Sequence, residues 1–205
     1  MMVSERDPIA EAVARLRGGA QANAPLGPTT WFRVGGAAEL LVRPADPEDL
    51  AAFLAALPHH VPVLAIGAAS NLIVRDGGVR GVVVKLARGF NTIAIDGNGV
   101  IAGAAALDVT VAEHAAAAGL AGIEFLSGIP GSIGGAVAMN AGAYGSDVAA
   151  SLDWAEIVTR DGQLLRLPVQ QLGLSYRHAA LPPGSVVVRA RFRGVPGEPA
   201  LIAAR

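Results

Sequence analysis

The stretch from Gly122 to Gly145, GIEFLSGIPGSIGGAVAMNAGAYG, limits what this chain can become more than any other part of it. It is too rich in glycine for a packed core element and too apolar for a disordered linker. Gly128, Gly131, Gly134 and Gly135 are separated by Ile129, Pro130, Ser132 and Ile133, so the backbone can turn sharply with little side chain in the way. Such a loop is expected to present consecutive N–H groups as an anion nest, with Gly131 and Gly134 at positive φ. Ser132 is expected to cap a short helix over Ala136 to Met139, whose N-terminus would add partial positive charge at the same point. The spacing is neither GxGxxG nor GxxxxGK[ST], and the stretch holds no lysine, which argues against a nucleoside triphosphate with magnesium. From these residues alone, a structural loop between two sheets stands as the alternative.

A second loop lies upstream. Val61 to Ile66 is wholly apolar and reads as a strand buried on both faces by crossover helices. Gly67-Ala68-Ala69-Ser70-Asn71 follows at its C-terminal end, where ligands gather in open α/β sheets. Three small residues allow close backbone approach, and Ser70 and Asn71 can hydrogen-bond a phosphate.

Composition narrows the function classes. The chain has 205 residues, 52% of them hydrophobic, enough for one large domain or two small ones. Charged residues are 16% and the formal net charge is −1, so neither a nucleic-acid footprint nor a basic membrane-binding helix is expected. No long uncharged apolar run and no secretory leader is read: MMVSERDPIAEAVARLRG has the character of a charged amphipathic helix, and a cytoplasmic location is expected. There is no cysteine, hence no disulfide, thiolate metal site or thiol nucleophile. His59 and His60 are adjacent while His114 and His178 stand far apart, so no metal site is expected.

Along the chain, apolar positions from Ile9 to Arg17 suggest a helix ending at Gly18-Gly19. Pro25 to Thr30 reads as a turn-rich entry, and Trp31 to Val34 and Ala38 to Arg43 as strands flanking Gly35-Gly36. Asp46 should cap a helix with Pro47 at its first position and Leu50, Phe53, Leu54 and Leu57 on its apolar face. The turn Asp76-Gly77-Gly78 and a strand over Gly81 to Leu86 complete a small βαβ-type unit. The second half then changes character. Asn91 to Ile95 and Val100 to Ala104 flank Asp96-Gly97-Asn98-Gly99, and Trp154 to Thr159 and Gln163 to Leu167 flank Asp161-Gly162, two hairpin signals that argue for an antiparallel sheet. Thr110 is expected to cap a helix that ends near Ala118 at Gly119. Ser185 to Phe192 reads as the last strand. The tail, Val195 to Arg205, starts like a helix and stops after one or two turns, marginal without a packing partner.

Taken together, TTWFRVGG (Thr29 to Gly36), the SN loop with LIVRDGG (Gly67 to Gly78), GIEFLSGIPGSIGG with MNAGAYG, and the SYR of Ser175 to Arg177 resemble the UDP-N-acetylenolpyruvoylglucosamine reductase family in order and spacing, from about Thr29 to Phe192. The resemblance implies an α+β, two-subdomain FAD-binding fold of the vanillyl-alcohol oxidase/p-cresol methylhydroxylase type. It divides the chain into residues 1–86, 87–194 and the opening residues 195–205 of a substrate domain. It also implies a flavoprotein oxidoreductase that holds FAD noncovalently and takes NADPH as hydride donor. Its substrate would be a UDP-sugar, converted to UDP-N-acetylmuramate for peptidoglycan synthesis. Residue by residue, Gly67, Ala68, Ala69, Ser70, Asn71 and Leu72, then Ile129, Pro130, Gly131, Ser132, Gly134 and Gly135, and further Asn140, Ala141 and Gly142 would hold the cofactor. Tyr144 and Tyr176 would bind substrate, and Arg177 would take the active-site arginine position. A guanidinium there could stabilise charge developing toward the substrate carboxylate.

Two departures accompany the resemblance. Members often carry GGGSN where this chain has GAASN, and alanine enters positive φ less freely than glycine. The family's substrate domain, with a proton-donating serine and a glutamate near the C-terminus, has no counterpart in these residues, so the isolated chain is expected to be inactive. A noncatalytic or partner-completed FAD-binding module stands as the alternative, and a different oxidoreductase of the same flavin fold as a third reading. No histidine lies within Gly67 to Gly78, which argues against covalent flavin attachment there.

Overall fold

A computed structural model describes residues 8–204; the part of the expected N-terminal helix before Pro8 lies outside them. Helix α1 (Pro8–Ala14) is followed by strands β1 (Gly19–Pro25) and β2 (Ala37–Arg43), helix α2 (Pro47–Ala56), and strands β3 (Val63–Ile66) and β4 (Val79–Lys85). These four strands form one sheet in the order β1-β2-β4-β3, with β2 and β3 both parallel to β4 and β1 antiparallel to β2. Helix α2 is the crossover from β2 to β3, which lie parallel on either side of β4, as in the expected βαβ-type unit.

Helix α2 begins as read. Asp46 accepts from the Asp49 amide at 2.8 Å and Pro47 sits in the first turn. The buried Asp49 carboxylate in turn accepts from the amides of Arg17, Gly18 and Ala45, tying the end of the first helix to the start of the second.

β1 carries no sequence signal. Gly19–Pro25 lacks β-branched and aromatic residues, and its side chains face solvent except Ala24. Backbone pairing to β2 over six registered partners holds it. The strand expected at Trp31 to Val34 does not form. Gly27–Thr29 is a 3₁₀ turn, the Thr30 hydroxyl donates to the carbonyls of Gly27 and Val34, and Arg33 stands at φ 55°. β3 is also not buried on both faces: it is an edge strand, with Leu64 and Ala65 exposed.

The second sheet is antiparallel and holds five strands in the order β11-β10-β12-β6-β5. It comprises β5 (Ile93–Asp96), β6 (Gly99–Gly103), β10 (Leu152–Val158), β11 (Leu164–Pro168) and β12 (Val186–Arg193). Both hairpins turn where expected, with Gly97 at φ 58° and Gly162 at φ 76°. Helix α3 (Asp108–Ala117) packs on this sheet through Val111, Ala112 and Ala115. Its N-cap is Leu107, so Thr110 lies inside the first turn and caps nothing. After α3 come β7 (Leu120–Ala121), a 3₁₀ turn over Glu124–Gly128, helix α4 (Ile133–Ala138), the short hairpin β8 (Gly142–Ala143) and β9 (Ser146–Asp147), and helix α5 (Val148–Ser151).

The closing strand β13 (Val195–Pro196) pairs with β7, and helix α6 (Pro199–Ala203) buries Ile202, so this short helix does have a packing partner. The two sheets share a core. Leu50, Phe53 and Leu54 of α2 and Val82 and Val84 of β4 pack in one cluster with Val158, Val186 and Val188 of the second sheet. Arg160 reinforces the junction by donating to the Leu54 carbonyl at 2.8 Å. Among the described residues no helix is long and apolar enough to cross a membrane.

Candidate flavin site in the cleft between the sheets

The two loops singled out in the sequence face each other across one cleft of ≈ 680 Å³. Gly67 to Leu72 and the β3 residues Leu64 to Ile66 form one wall; Ile129 to Ser132, Gly135, Ala136 and Met139 form the other. The exposed face of β3 is therefore a wall of the cleft, which is why its apolar run carries no second covering layer.

On the first wall, Ala69 stands at φ 54°, and its carbonyl accepts from the Trp31 amide at 3.2 Å. The Thr29 to Gly36 motif thus acts by bracing this loop. A left-handed alanine costs roughly 1 kcal/mol, so the bracing offsets a local strain. Gly67 lies against the opposite wall: a Cβ there would run into Ser132 Oγ. The position needs glycine for close approach, since its φ is not in the left-handed region.

The second wall departs from expectation in two ways. Neither Gly131 nor Gly134 has positive φ. Their amides are not a free row either: Gly131, Ile133 and Gly134 donate to the carbonyls of Ile129, Ala106 and Ala104 at 2.8, 3.0 and 2.9 Å. The amides of Ile133 and Gly134 fasten the loop to the segment that follows β6, while that of Gly131 closes a turn within the loop. Ser132 occupies the N-cap position of α4 with extended backbone, but its hydroxyl makes no cap bond. That hydroxyl is buried without a partner, as are both carboxyl oxygens of Asp108. Asp108 and Ser132 both line the cleft.

Asp108 was not singled out by sequence reading, because an aspartate in a helix's first turn ordinarily serves the helix dipole. Here it is fully buried, its amide donates to the Gly131 carbonyl, and burial pushes its carboxyl up to about 7. Lys85, the chain's single lysine, ends β4 and lines an adjoining recess shared with Gly67, Ser132, Gly134 and Gly135. Burial lowers its pKa.

Beyond the cleft, Gly142 to Asp147 and Tyr176 to Arg177 surround a second hollow of ≈ 390 Å³, and Arg177 lines both spaces. Tyr144 and Tyr176 are 79% and 90% exposed, so neither is a packing residue. The Tyr144 ring lies over Gly128, where a Cβ would stand 2.5 Å from it. The Arg177 guanidinium sits 5.7 Å from the Tyr176 ring centre, and both Tyr144 and Arg177 are left-handed, at φ 53° and 55°. Asn140, buried at φ 40°, also lines the hollow, and its side chain is hydrogen-bonded within the protein. Its amide nitrogen donates to Ser175 O at 3.0 Å and Asp147 Oδ2 at 3.2 Å, and its oxygen accepts from the Ala149 amide. Asn140 thereby joins the glycine-rich stretch to the Ser175–Arg177 turn. Ala141 lines the cleft and Gly142 the hollow.

The residues fit a flavin dinucleotide on one ground visible in the site: the carboxyl of Asp108 and the hydroxyl of Ser132 are unpartnered polar groups buried on the cleft between the two small-residue loops. Comparison with known proteins agrees. The chain is 66% identical over 194 residues to a UDP-N-acetylenolpyruvoylglucosamine reductase of Acidiphilium cryptum (strain JF-5), a match covering 95% of this chain and 63% of that one. It thus spans under two thirds of that relative's length. The crystal structure of UDP-N-acetylenolpyruvylglucosamine reductase from Thermus caldophilus superposes with TM-score 0.78 at 35% identity, over 92% of this chain and 66% of that one. Physcomitrella patens BBE-like 1, at 16% identity and TM-score 0.62 over 92% of this chain and 44% of its own, shares the fold. The α+β architecture is the two-subdomain FAD-binding fold of the vanillyl-alcohol oxidase/p-cresol methylhydroxylase type. The family model described as "FAD binding domain" matches residues 38–168, well over half of the chain, and the chain belongs to that FAD-binding domain family.

Proposed function

We propose that this chain binds FAD noncovalently and is the FAD-binding portion of an NADPH-dependent UDP-N-acetylmuramate dehydrogenase of peptidoglycan synthesis. On this reading it works in the cytoplasm, and its two sheets belong to the two subdomains of residues 1–86 and 87–194. The observation that carries the reading is the cleft in which Gly67–Leu72 and Ile129–Ser132 oppose each other, with Arg177 lining the same space. FAD, when bound, would carry the hydride of NADPH to the enolpyruvyl double bond of a UDP-sugar. Gly67 to Leu72, Ile129 to Ser132, Gly134 and Gly135 would hold the phosphates and ribityl chain. No histidine or cysteine lines the cleft, which supports noncovalent attachment.

Arg177 lies at the junction of cleft and hollow, suited to pair with the substrate carboxylate and to stabilise charge that develops toward it. Tyr144 and Tyr176, exposed on the hollow, would flank the sugar nucleotide. Asn140, on the hollow, would also hold the Ser175–Arg177 turn in place for the ligand. The test begins with the visible spectrum of the purified chain, supplied with excess FAD if necessary. Flavin bands that leave with the supernatant on acid denaturation support the reading, and a chain that takes up no flavin overturns it. Anaerobic mixing of the photoreduced complex with UDP-N-acetylenolpyruvoylglucosamine then reports whether the flavin is reoxidised.

A further inference from the structure

We infer that Asp108 is a ligand-binding residue of the cleft, its neutral carboxyl donating a hydrogen bond to a phosphate oxygen of the flavin dinucleotide beside Ser132. The inference rests on the FAD reading above and adds to it a group outside the glycine loops.

Three observations carry it. Asp108 is wholly buried and lines the cleft, yet neither carboxyl oxygen has a partner among the described residues. An orphaned buried polar group is costly and rare, and one that faces a ligand cleft marks a missing partner. Second, the carboxyl lies against the loop that the resemblance assigns to phosphate: a Cβ on Gly131 would stand 2.7 Å from Asp108 Oδ2. Ser132 Oγ, equally buried and equally orphaned, lies on the same loop, and Leu107 and Ser132 bridge as backbone neighbours. Third, the loop's own donors are largely committed, because the amides of Gly131, Ile133 and Gly134 already bond to carbonyls. The Asp108 carboxyl and the Ser132 hydroxyl are the unpartnered buried side-chain groups on this wall.

An ionised carboxylate could not do this. It would be buried without a partner and would repel the phosphate. A protonated carboxyl is both uncharged and a donor. Charge in the surroundings is sparse. On α3 the other titratable groups, Glu113 and His114, are exposed, and neither wall loop carries any. Arg177 lines the same cleft and Lys85 the adjoining recess. Burial is what favours the proton, with the carboxyl raised to about 7. A pH profile tells a phosphate acceptor from a ribityl hydroxyl. A ribityl hydroxyl could donate to the ionised carboxylate as readily as accept from the neutral one, whereas a phosphate oxygen can only accept.

The experiment is to measure the FAD dissociation constant by flavin fluorescence from about pH 6 to about pH 9, for the wild-type chain and for Asp108→Asn, which keeps the shape and a donor but cannot ionise. The wild-type constant should be level near pH 6 and should rise above about pH 7, approaching about tenfold per pH unit. Asp108→Asn, whatever its affinity near pH 6, should lack that rise. Any share due to Lys85 or Arg177 would appear in both proteins. Parallel profiles of the two proteins would overturn the inference while leaving FAD binding intact. A wild-type chain that binds no FAD at any pH would overturn the FAD reading and this inference with it. If the Asn variant does not fold, infrared spectra of the wild-type complex with isotope-labelled aspartate decide the matter. A protonated aspartate band at about pH 8 upholds the inference, and its absence overturns it.

Discussion

Gly67 and Ser132 touch across the cleft: the backbone of residue 67, at the end of β3, leaves no room for a Cβ beside Ser132 Oγ at the head of α4. The contact joins the two loops at the point where the sheets' ligand-facing ends meet. It makes Gly67 a gauge of the cleft's width. Gly67→Val should weaken FAD binding by about tenfold or more, the scale of an overpacking cost of 1–3 kcal/mol. Because the obstruction is one hydroxyl, Gly67→Ala should weaken binding less than Gly67→Val. Fluorescence titration of the two variants checks this; equal affinities would show that the clash lies elsewhere.

Gly131 and Gly134 are three positions apart, and their substitution should fail in different ways. A side chain on Gly134 meets Ala104 Cβ at 2.9 Å and the Ala104 carbonyl at 3.3 Å, both in the packed segment after β6. Gly134→Val should therefore cost about 1–3 kcal/mol of stability, visible as a lower melting temperature without any flavin. A side chain on Gly131 meets the Asp108 carboxyl, which borders the cleft. Gly131→Val should spare most of the melting temperature and damage FAD affinity. A reversed pattern would show that residue 131 is the packing position.

The raised Asp108 carboxyl also predicts a pH dependence in the flavin-free chain. The folded state holds this proton up to about pH 7, whereas the unfolded chain releases it near the ordinary aspartate value of 3.8. Asp108's contribution is thus fully present below about pH 4 and is lost as pH rises toward 7, by at most about 4 kcal/mol. Asp108→Asn escapes this loss. Its stability relative to wild type should grow between about pH 4 and pH 7 and level off above. Urea titrations at several pH values measure it, and a pH-independent difference would show that the carboxyl ionises normally.

Much of the frame was legible because local signals agreed with the fold. Asp46-Pro47 starts α2, and Asp96-Gly97 and Asp161-Gly162 turn the hairpins, each through chemistry confined to a few residues. β1 was not legible, because Gly19–Pro25 is held by backbone pairing with a distant strand and shows no side-chain pattern. The Trp31–Val34 segment misled for the opposite reason: its residues suit a strand, but Thr30 and a left-handed Arg33 fold it into a brace for Ala69. In the site, the small-residue loops could be read as candidate cleft walls from composition, and both line the cleft. Which of their amides are already used, and which buried carboxyl joins them, depends on Ala104, Ala106 and Asp108 approaching from another element. No spacing in the loop reveals that.

Asn140 connects two parts of the site that are thirty-five residues apart, through its bond to the Ser175 carbonyl. It also bonds Asp147 and the Ala149 amide while buried at φ 40°. Asn140→Ala would leave these groups unpaired and keep the unfavourable φ, for a loss of about 2–4 kcal/mol. A drop of under about 0.5 kcal/mol in denaturant unfolding would show that water replaces the amide.

Arg177 is where cleft and hollow meet, so its replacement should separate cofactor binding from substrate binding. It has no salt-bridge partner among the described residues, and its stacking on Tyr176 at 5.7 Å is an exposed contact worth under about 1 kcal/mol. The fold should therefore tolerate its loss, although Arg177→Gln must still accept φ 55°. If Arg177 pairs with the substrate carboxylate, Arg177→Gln should leave FAD affinity within about threefold of wild type. It should weaken UDP-N-acetylenolpyruvoylglucosamine binding by about 10- to 100-fold, the scale of a charge-assisted bond of 1.5–3 kcal/mol. Arg177→Lys keeps the charge but not the two-pronged geometry and should fall between the two. Substrate binding is read from the perturbed flavin spectrum of the oxidised complex, which requires no turnover. A glutamine variant that loses FAD and substrate together would instead place Arg177 on the cofactor, at the cleft it lines beside Met139 and Ala141.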